Sequence, residues 1–337
     1  MLNLSKPLVE WRAYFSSALG KQRGMVKMQL RQGTLIVLVS WIGIGGGLFV
    51  ATLPGFATSE AVQVAQNKPA NPQPAGASAE AVVNQGLQYI QQGKLNDAIA
   101  AFRRAAQLDP RMAAAHYNLG LALRQQGQLQ PAASAFYQAT QANPRFALAY
   151  ANLGAALLEG SNVGQARDYL KRAIDLDPKL GLAHYNLGLA LEQQKAYDQA
   201  AIAFKSAMQL SPTAPEPSYH LGLVYLQQRK DAEALTAFQQ ALRVNPKYAE
   251  AHYNIGSMLF KQGKLNEALS AFRRAADANS NYANSYYAAG LVFMKQGKFK
   301  DAQIVLKYAK DLYAKQGNSQ WASKADQSLQ KATVGQD

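Results

Sequence analysis

The 337-residue chain contains no cysteine. That excludes disulfides, thiol nucleophiles, cysteine-held metals and a lipid-modified N-terminal cysteine, and it leaves the redox compartment unconstrained. Histidine is scarce at four residues and tryptophan scarcer at three. Acid is the minority charge, with 21 Asp+Glu against 35 Lys+Arg and a formal net charge of +14. From residue 32 to residue 59 there is no charge at all. No phosphate loop, Ser-His-Asp arrangement or dinucleotide fingerprint occurs, so no motif supports catalysis.

What the chain does have is a period. Gly86, Gly120, Gly154, Gly188, Gly222, Gly256 and Gly290 stand 34 residues apart. Twelve residues after each come Ala98, Ala132, Ala166, Ala200, Ala234, Ala268 and Ala302, and seven further on Ala105, Ala139, Ala173, Ala207, Ala241, Ala275 and Ala309. Between the alanines lie Phe102, Phe136, Leu170, Phe204, Phe238, Phe272 and Leu306. Pro110, Pro144, Pro178, Pro212 and Pro246 keep the same beat, which Ser280 and Ala314 take over in the last two units. Proline cannot continue a helix and pushes the residue before it out of the helical region, so each unit reads as two helices and two breakers. Glycine and alanine at a helix crossing let the backbones approach to roughly 8–10 Å, and the larger residue fills the seam.

These residues resemble the tetratricopeptide repeat, whose pattern runs aromatic, Leu-Gly, aromatic or Leu, Ala, Phe, Ala and Pro. The resemblance covers residues 79–316 as seven units: 79–112, 113–146, 147–180, 181–214, 215–248, 249–282 and 283–316. It implies an all-α fold, a right-handed superhelical solenoid of helix-turn-helix repeats. Residues 317–337, with Trp321, Ala325 and Leu329, read as a C-terminal capping helix and tail.

One apolar N-terminal helix is expected ahead of the repeats. Thr34 to Leu53 is almost wholly apolar, about 20 residues, which at 1.5 Å per residue crosses a hydrocarbon core of about 30 Å. Lys6, Arg12, Lys21, Arg23, Lys27 and Arg31 precede it against Glu10 alone. The positive-inside bias keeps this basic segment, 1–31, in the cytoplasm and puts the repeats across the membrane. Residues 32–57 read either as a retained transmembrane anchor through residues 34–53 or as a signal peptide cleaved after Ala57. Met1, Met25 and Met28 are alternative starts. Residues 58–78, with Pro69, Pro72 and Pro74, read as a disordered linker. The expected location is a single-pass membrane protein with exported repeats, periplasmic or lumenal, or a secreted or periplasmic protein after cleavage.

His116, His184 and His252 recur every 68 residues. Alternate units lie about 20 Å apart, whereas zinc needs its ligands within about 2.1 Å, so helix packing is the expected role. No catalytic residue, metal site or cofactor is expected.

Two residues before the glycines stand Asn84, Asn118, Asn152, Asn186, His220 and Asn254, with Ala288 ending the series. By resemblance to the family this column faces the concave surface, and relatives use such asparagines to grip extended peptides. An amide carries both donors and an acceptor, so it can pair with a peptide backbone of any sequence. The alternative is that asparagine there stabilises the repeat itself. One place earlier, Tyr117, Tyr185, Tyr219, Tyr253 and Tyr287 offer rigid contact area of a type enriched at binding hot spots. Leu87, Leu121, Ala155, Leu189, Leu223, Ser257 and Leu291 follow the glycines, where chaperone-tail clamps carry an asparagine, so that adaptor role is not expected.

Residues 81–316 hold 26 Lys+Arg and 16 Asp+Glu, with Arg103-Arg104, Lys171-Arg172 and Arg273-Arg274 on second helices. The function expected is a non-enzymatic interaction scaffold or adaptor, exported or membrane-tethered. It would bind extended peptide segments of other proteins in the groove and assist assembly of envelope or membrane complexes. The alternative is a structural protein that meets an anionic polysaccharide, envelope polymer or membrane surface through its basic outer helices. Neither nucleic acid nor a small-molecule substrate is expected.

Overall fold

The computed structural model describes residues 36–39 and 49–52 as backbone and residues 78–335 in full. Backbone contacts divide the chain into two compact units, one holding residues 34–255 with 277–279, the other 256–276 with 280 onward.

In the larger unit the helices run α1 (Ala79–Gln91), α2 (Leu95–Leu108), α3 (Ala113–Gln125), α4 (Leu129–Ala142), α5 (Ala147–Glu159), α6 (Val163–Leu176), α7 (Gly181–Gln193), α8 (Tyr197–Leu210), α9 (Glu216–Gln227) and α10 (Asp231–Val244). Next come α11 (Ala249–Lys261) and α12 (Leu265–Ala278), then α13 (Ala283–Lys295), α14 (Phe299–Lys315) and the closing α15 (Ser319–Val334). The repeats are therefore all helical, with fifteen helices among the described residues. From α1 to α10 each odd-numbered helix packs on the even one after it, as α13 does on α14, and in the larger unit first helices also touch each other across repeats (α1 with α3, α5 with α7, α7 with α9). One face of that unit is thus lined by first helices.

The seam between paired helices explains the periodic residues. All fourteen periodic alanines have no exposed surface, and the residue between them is at most 1% exposed. A Cβ added to Gly188 would sit 2.5 Å from Phe204 Cε1, and one on Gly154 would sit 2.5 Å from Leu170 Cγ. Only hydrogen fits there. Burying each phenylalanine contributes roughly 1.5–3 kcal/mol.

The breakers work by two devices. At the end of a first helix, Gly127 N–H bonds the Arg124 carbonyl and Gln128 N–H the Leu123 carbonyl, closing a Schellman turn with Gly127 at φ 80°. At the end of the second helix in four repeats an Asp or Asn precedes proline. Asp109, Asn143, Asp177 and Asn245 each accept through Oδ1 from the backbone N–H two residues on (2.9–3.0 Å), which turns the chain into the next repeat. In the fifth repeat Pro215 and Pro217 flank Glu216, where helical first-turn positions need no backbone donor, and α9 starts there.

The smaller unit ends on α15, capped by Asn318, whose Oδ1 accepts from Trp321 N–H (3.2 Å). Lys310 on α14 pairs with Asp326 (2.7 Å), and Trp321 lies 5.9 Å from the Tyr313 ring.

The apolar N-terminal stretch differs from the expected helix. Ile36–Val39 and Phe49–Thr52 form a two-stranded antiparallel ladder, with Ile36 opposite Thr52 and Val39 opposite Phe49. Ile36, Val37, Val39, Val50 and Thr52 are β-branched and suit extended backbone. Among the described residues no helix is long and apolar enough to cross a membrane. The basic segment, the cleavage position after Ala57 and residues 58–77 of the linker lie outside the described residues.

Candidate functional site

The asparagine column is turned inward, to its own helices. Asn118, Asn152 and Asn186 are 5%, 4% and 7% exposed. Each donates from Nδ2 to the carbonyl four residues back: Ala114 (2.8 Å), Leu148 (3.0 Å) and Leu182 (3.0 Å). Asn254, half-buried, does the same to Glu250 (2.9 Å). Two of them also donate to a tyrosine hydroxyl one repeat earlier, Asn152 to Tyr117 (3.2 Å) and Asn254 to Tyr219 (3.3 Å). These bonds fasten adjacent first helices together. Asn84, in the first repeat, is exposed.

The tyrosine column splits. Tyr117 is buried, its ring 4.9 Å from Phe146 and 5.8 Å from Phe136. Tyr287, in the smaller unit, lies against the closing helix, 5.7 Å from the Trp321 ring and with its hydroxyl 3.4 Å from Ser328 Oγ. Tyr185, Tyr219 and Tyr253 are half-buried on first helices.

Around Tyr185 and Tyr219 the structure joins His220, expected in the groove column, to residues that the sequence reading passed over. Glu192, near the end of α7, accepts from His220 Nδ1 on α9 (3.1 Å) when that nitrogen carries the proton. The His220 ring stacks on Phe204 at 5.5 Å and stands 5.8 Å from Tyr185 and 5.4 Å from Tyr219. Tyr248, just ahead of α11, packs 5.0 Å from Tyr219. Glu216 opens α9, and Glu250 holds the corresponding place in α11. Burial raises both carboxyls above the ordinary glutamate range, offset in part by their own backbone N–H groups. Burial also raises the phenols of Tyr185, Tyr219 and Tyr248, and the neighbouring carboxylates add to it. The signal for Glu216 and Glu250 was present in the sequence: the second place of the repeat reads Glu80, Ala114, Leu148, Leu182, Glu216, Glu250 and Asn284.

In the second and third repeats the same face is neutralised internally. Arg124 Nε donates to Glu159 (3.0 Å), a second guanidinium nitrogen also bonds that carboxylate, and Nη1 reaches Asn152 Oδ1 (3.4 Å).

The periodic histidines are backbone ties. Nε2 of His116, His184 and His252 lies 2.9–3.0 Å from the carbonyl of Pro110, Pro178 and Pro246, six residues back. Among the described residues no three His, Asp or Glu side chains are grouped to hold a metal ion.

Paired helices stacked at a fixed period, with one polar and aromatic face of first helices, define a helical-repeat interaction module. The tetratricopeptide repeat profiles match residues 132–181, 152–215 and 219–284, and further TPR repeat and tetratricopeptide repeat profiles match 86–127 and 113–146, together more than half of the chain. The chain belongs to the tetratricopeptide repeat family. A tetratricopeptide repeat protein from Parabacteroides merdae shares the fold at 19% identity over 74% of this chain and 99% of its own, with a TM-score of 0.59. Pseudomonas aeruginosa PilF shares it at 21% identity over 61% of this chain and 94% of its own, with a TM-score of 0.54. No curated protein matches the chain. The fold supports a protein–protein interaction role, and the family is typically a non-enzymatic scaffold.

Proposed function

We propose that the protein is a non-enzymatic scaffold that holds extended peptide segments of partner proteins along its first-helix face. The observation that carries this reading is the half-buried tyrosine pair Tyr185 and Tyr253, set two repeats apart on one face with part of each side chain at the surface. Tyrosine buries a large area on binding at small entropic cost and keeps a hydroxyl for hydrogen bonding. The buried asparagines act beneath this surface by fixing the spacing of the first helices.

The charge pattern of residues 1–59 supports a tethered or exported protein, with the basic end in the cytoplasm and the repeats on the other side. Assembly of envelope or membrane complexes is the role such a placement suits. A second reading, attachment to an anionic polymer or lipid surface, draws on Arg103, Arg104, Lys171 and Arg172, which are exposed on α2 and α6.

Photocrosslinking separates the two. Benzoylphenylalanine replaces Tyr185, Tyr253 or Arg104 in the full-length chain in its native membranes, and crosslinked residues are mapped by mass spectrometry. Two repeats span about 20 Å, or roughly six extended residues at about 3.3 Å each. Tyr185 and Tyr253 should therefore crosslink to one partner segment at points about six residues apart. Crosslinks from position 104 alone, or scattered sites in unrelated partner sequences, would reject the groove reading.

A further inference from the structure

Glu216 is 7% exposed, and its Oε2 has no hydrogen-bond partner. An ionised carboxylate removed from water without a partner is strongly disfavoured, so such a group takes up a proton or a cation. Here the backbone N–H of Glu216 itself and the nearby His220 offset part of the cost, and Oε2 is left without a hydrogen-bond partner.

The surroundings favour a cation. Glu216 stands three residues before Tyr219 and four before His220, Glu250 stands two after Tyr248, and Glu192 pairs with His220, whose ring lies 5.8 Å from Tyr185 and 5.4 Å from Tyr219. Three carboxylates thus share one group of phenol rings, drawn from α7, α9 and the entry to α11. His220 pairs with Glu192, while among the described residues no lysine or arginine pairs with Glu216 or Glu250. The contrast with Arg124 and Glu159 is direct: there a half-buried arginine matches the carboxylate, and here one histidine, His220, faces both Glu192 and Glu216. A patch of acid in a chain of net charge +14 is not a by-product of composition. Aromatic faces beside carboxylates are an environment that stabilises a partly desolvated ammonium or guanidinium.

Resting on the peptide-groove reading, we propose that Glu216, with Glu192, Glu250, Tyr185, Tyr219 and Tyr248, forms a subsite for the lysine or arginine side chain of an extended segment of a partner protein. Glu216 Oε2 is closed to solvent in the free chain, so the cation reaches it by displacing its cover and then lies against the phenol faces, with the backbone on either side of it along the first helices. The groove therefore selects basic segments although the protein itself is basic.

The test uses the full-length chain in detergent and a random decapeptide library. Selected peptides should share one lysine or arginine at a fixed position. Replacing that residue by norleucine should weaken binding about ten-fold or more, the scale of a lost charge-assisted hydrogen bond. Glu216→Gln should weaken the parent peptide by a similar factor and leave the norleucine peptide unchanged. Glu250→Gln carries the same expectation, and thermal melting of each variant distinguishes lost affinity from lost fold. Selected peptides with no shared cation, bound equally by both variants, would overturn the cationic subsite and leave the groove standing. If no peptide is selected, the groove reading falls and the subsite falls with it.

Discussion

Glycine at the helix crossing has a neighbour and no room. Alanine is about 1 kcal/mol better than glycine inside a helix, while overpacking a filled core costs about 1–3 kcal/mol. At Gly188 the obstacle is the Phe204 ring, 2.5 Å from the added Cβ and fully buried, so the clash outweighs the helical gain. Gly188→Ala is expected to lose roughly 1–2 kcal/mol in urea unfolding. Gly164→Ala, where nothing lies within 4 Å, serves as the control and should gain up to about 1 kcal/mol. Equal effects at the two sites would reject the seam argument. The buried carboxyls make a pH prediction. Burial raises Glu216 and Glu250 in the folded state, so their contribution is most favourable below the unfolded range near about 4.3 and is lost as pH rises through the folded values. Glu216→Gln should therefore melt above the natural chain at pH 7, and the gap should close as pH falls toward about 4. A gap that ignores pH would mean the carboxyl is not held neutral by burial. At this scale the residue types at each repeat position were legible from the repeat, but not the destination of their polar atoms. Asn118 and Asn152 read equally well as peptide clamps or helix ties, and only the bonds to Ala114 and Leu148 show where their donors go.

The turn that ends each first helix has a left-handed residue, and the sequence fills it unevenly. Glycine takes it at 93, 127, 263 and 297, whereas Ser161, Lys195 and Arg229 take it at φ 64°, 60° and 59°. Lys195 still makes the same closure, its N–H on the Glu192 carbonyl and Ala196 N–H on the Leu191 carbonyl, both 2.9 Å. An L side chain in this region costs about 1–2 kcal/mol, and glycine's greater freedom in the unfolded chain returns about 0.4–1 of that. Lys195→Gly should raise stability by roughly 0.5–1 kcal/mol, seen as a higher melting temperature with unchanged helicity. A lower one would show that the lysine side chain holds the turn in some other way. Elements with a clear period and proline stops were legible from the sequence as helices. The apolar run from Thr34 was not, because an unbroken hydrophobic stretch has no period to separate helix from strand. In the described residues there, β-branched side chains take the extended form.

Across the molecule two kinds of information meet. The 34-residue beat determined the class outright, since glycine, alanine, phenylalanine and proline each act on a partner within the same repeat, as Gly188 does on Phe204 sixteen residues later. Such short-range complementarity is written in one sequence and needs no knowledge of the rest of the chain. The sequence also fixed the excess of basic charge and the acid-poor composition. What only the tertiary structure decided is which charges cancel. Arg124 and Glu159 are 35 residues apart, Glu192 and His220 are 28 apart, and each pair meets because successive repeats stack with their first helices in contact. The same stacking leaves Glu216 Oε2 buried and unmatched. Pairing of polar atoms across repeats depends on side-chain reach and burial at distances of about 3 Å, and a residue pattern sets neither.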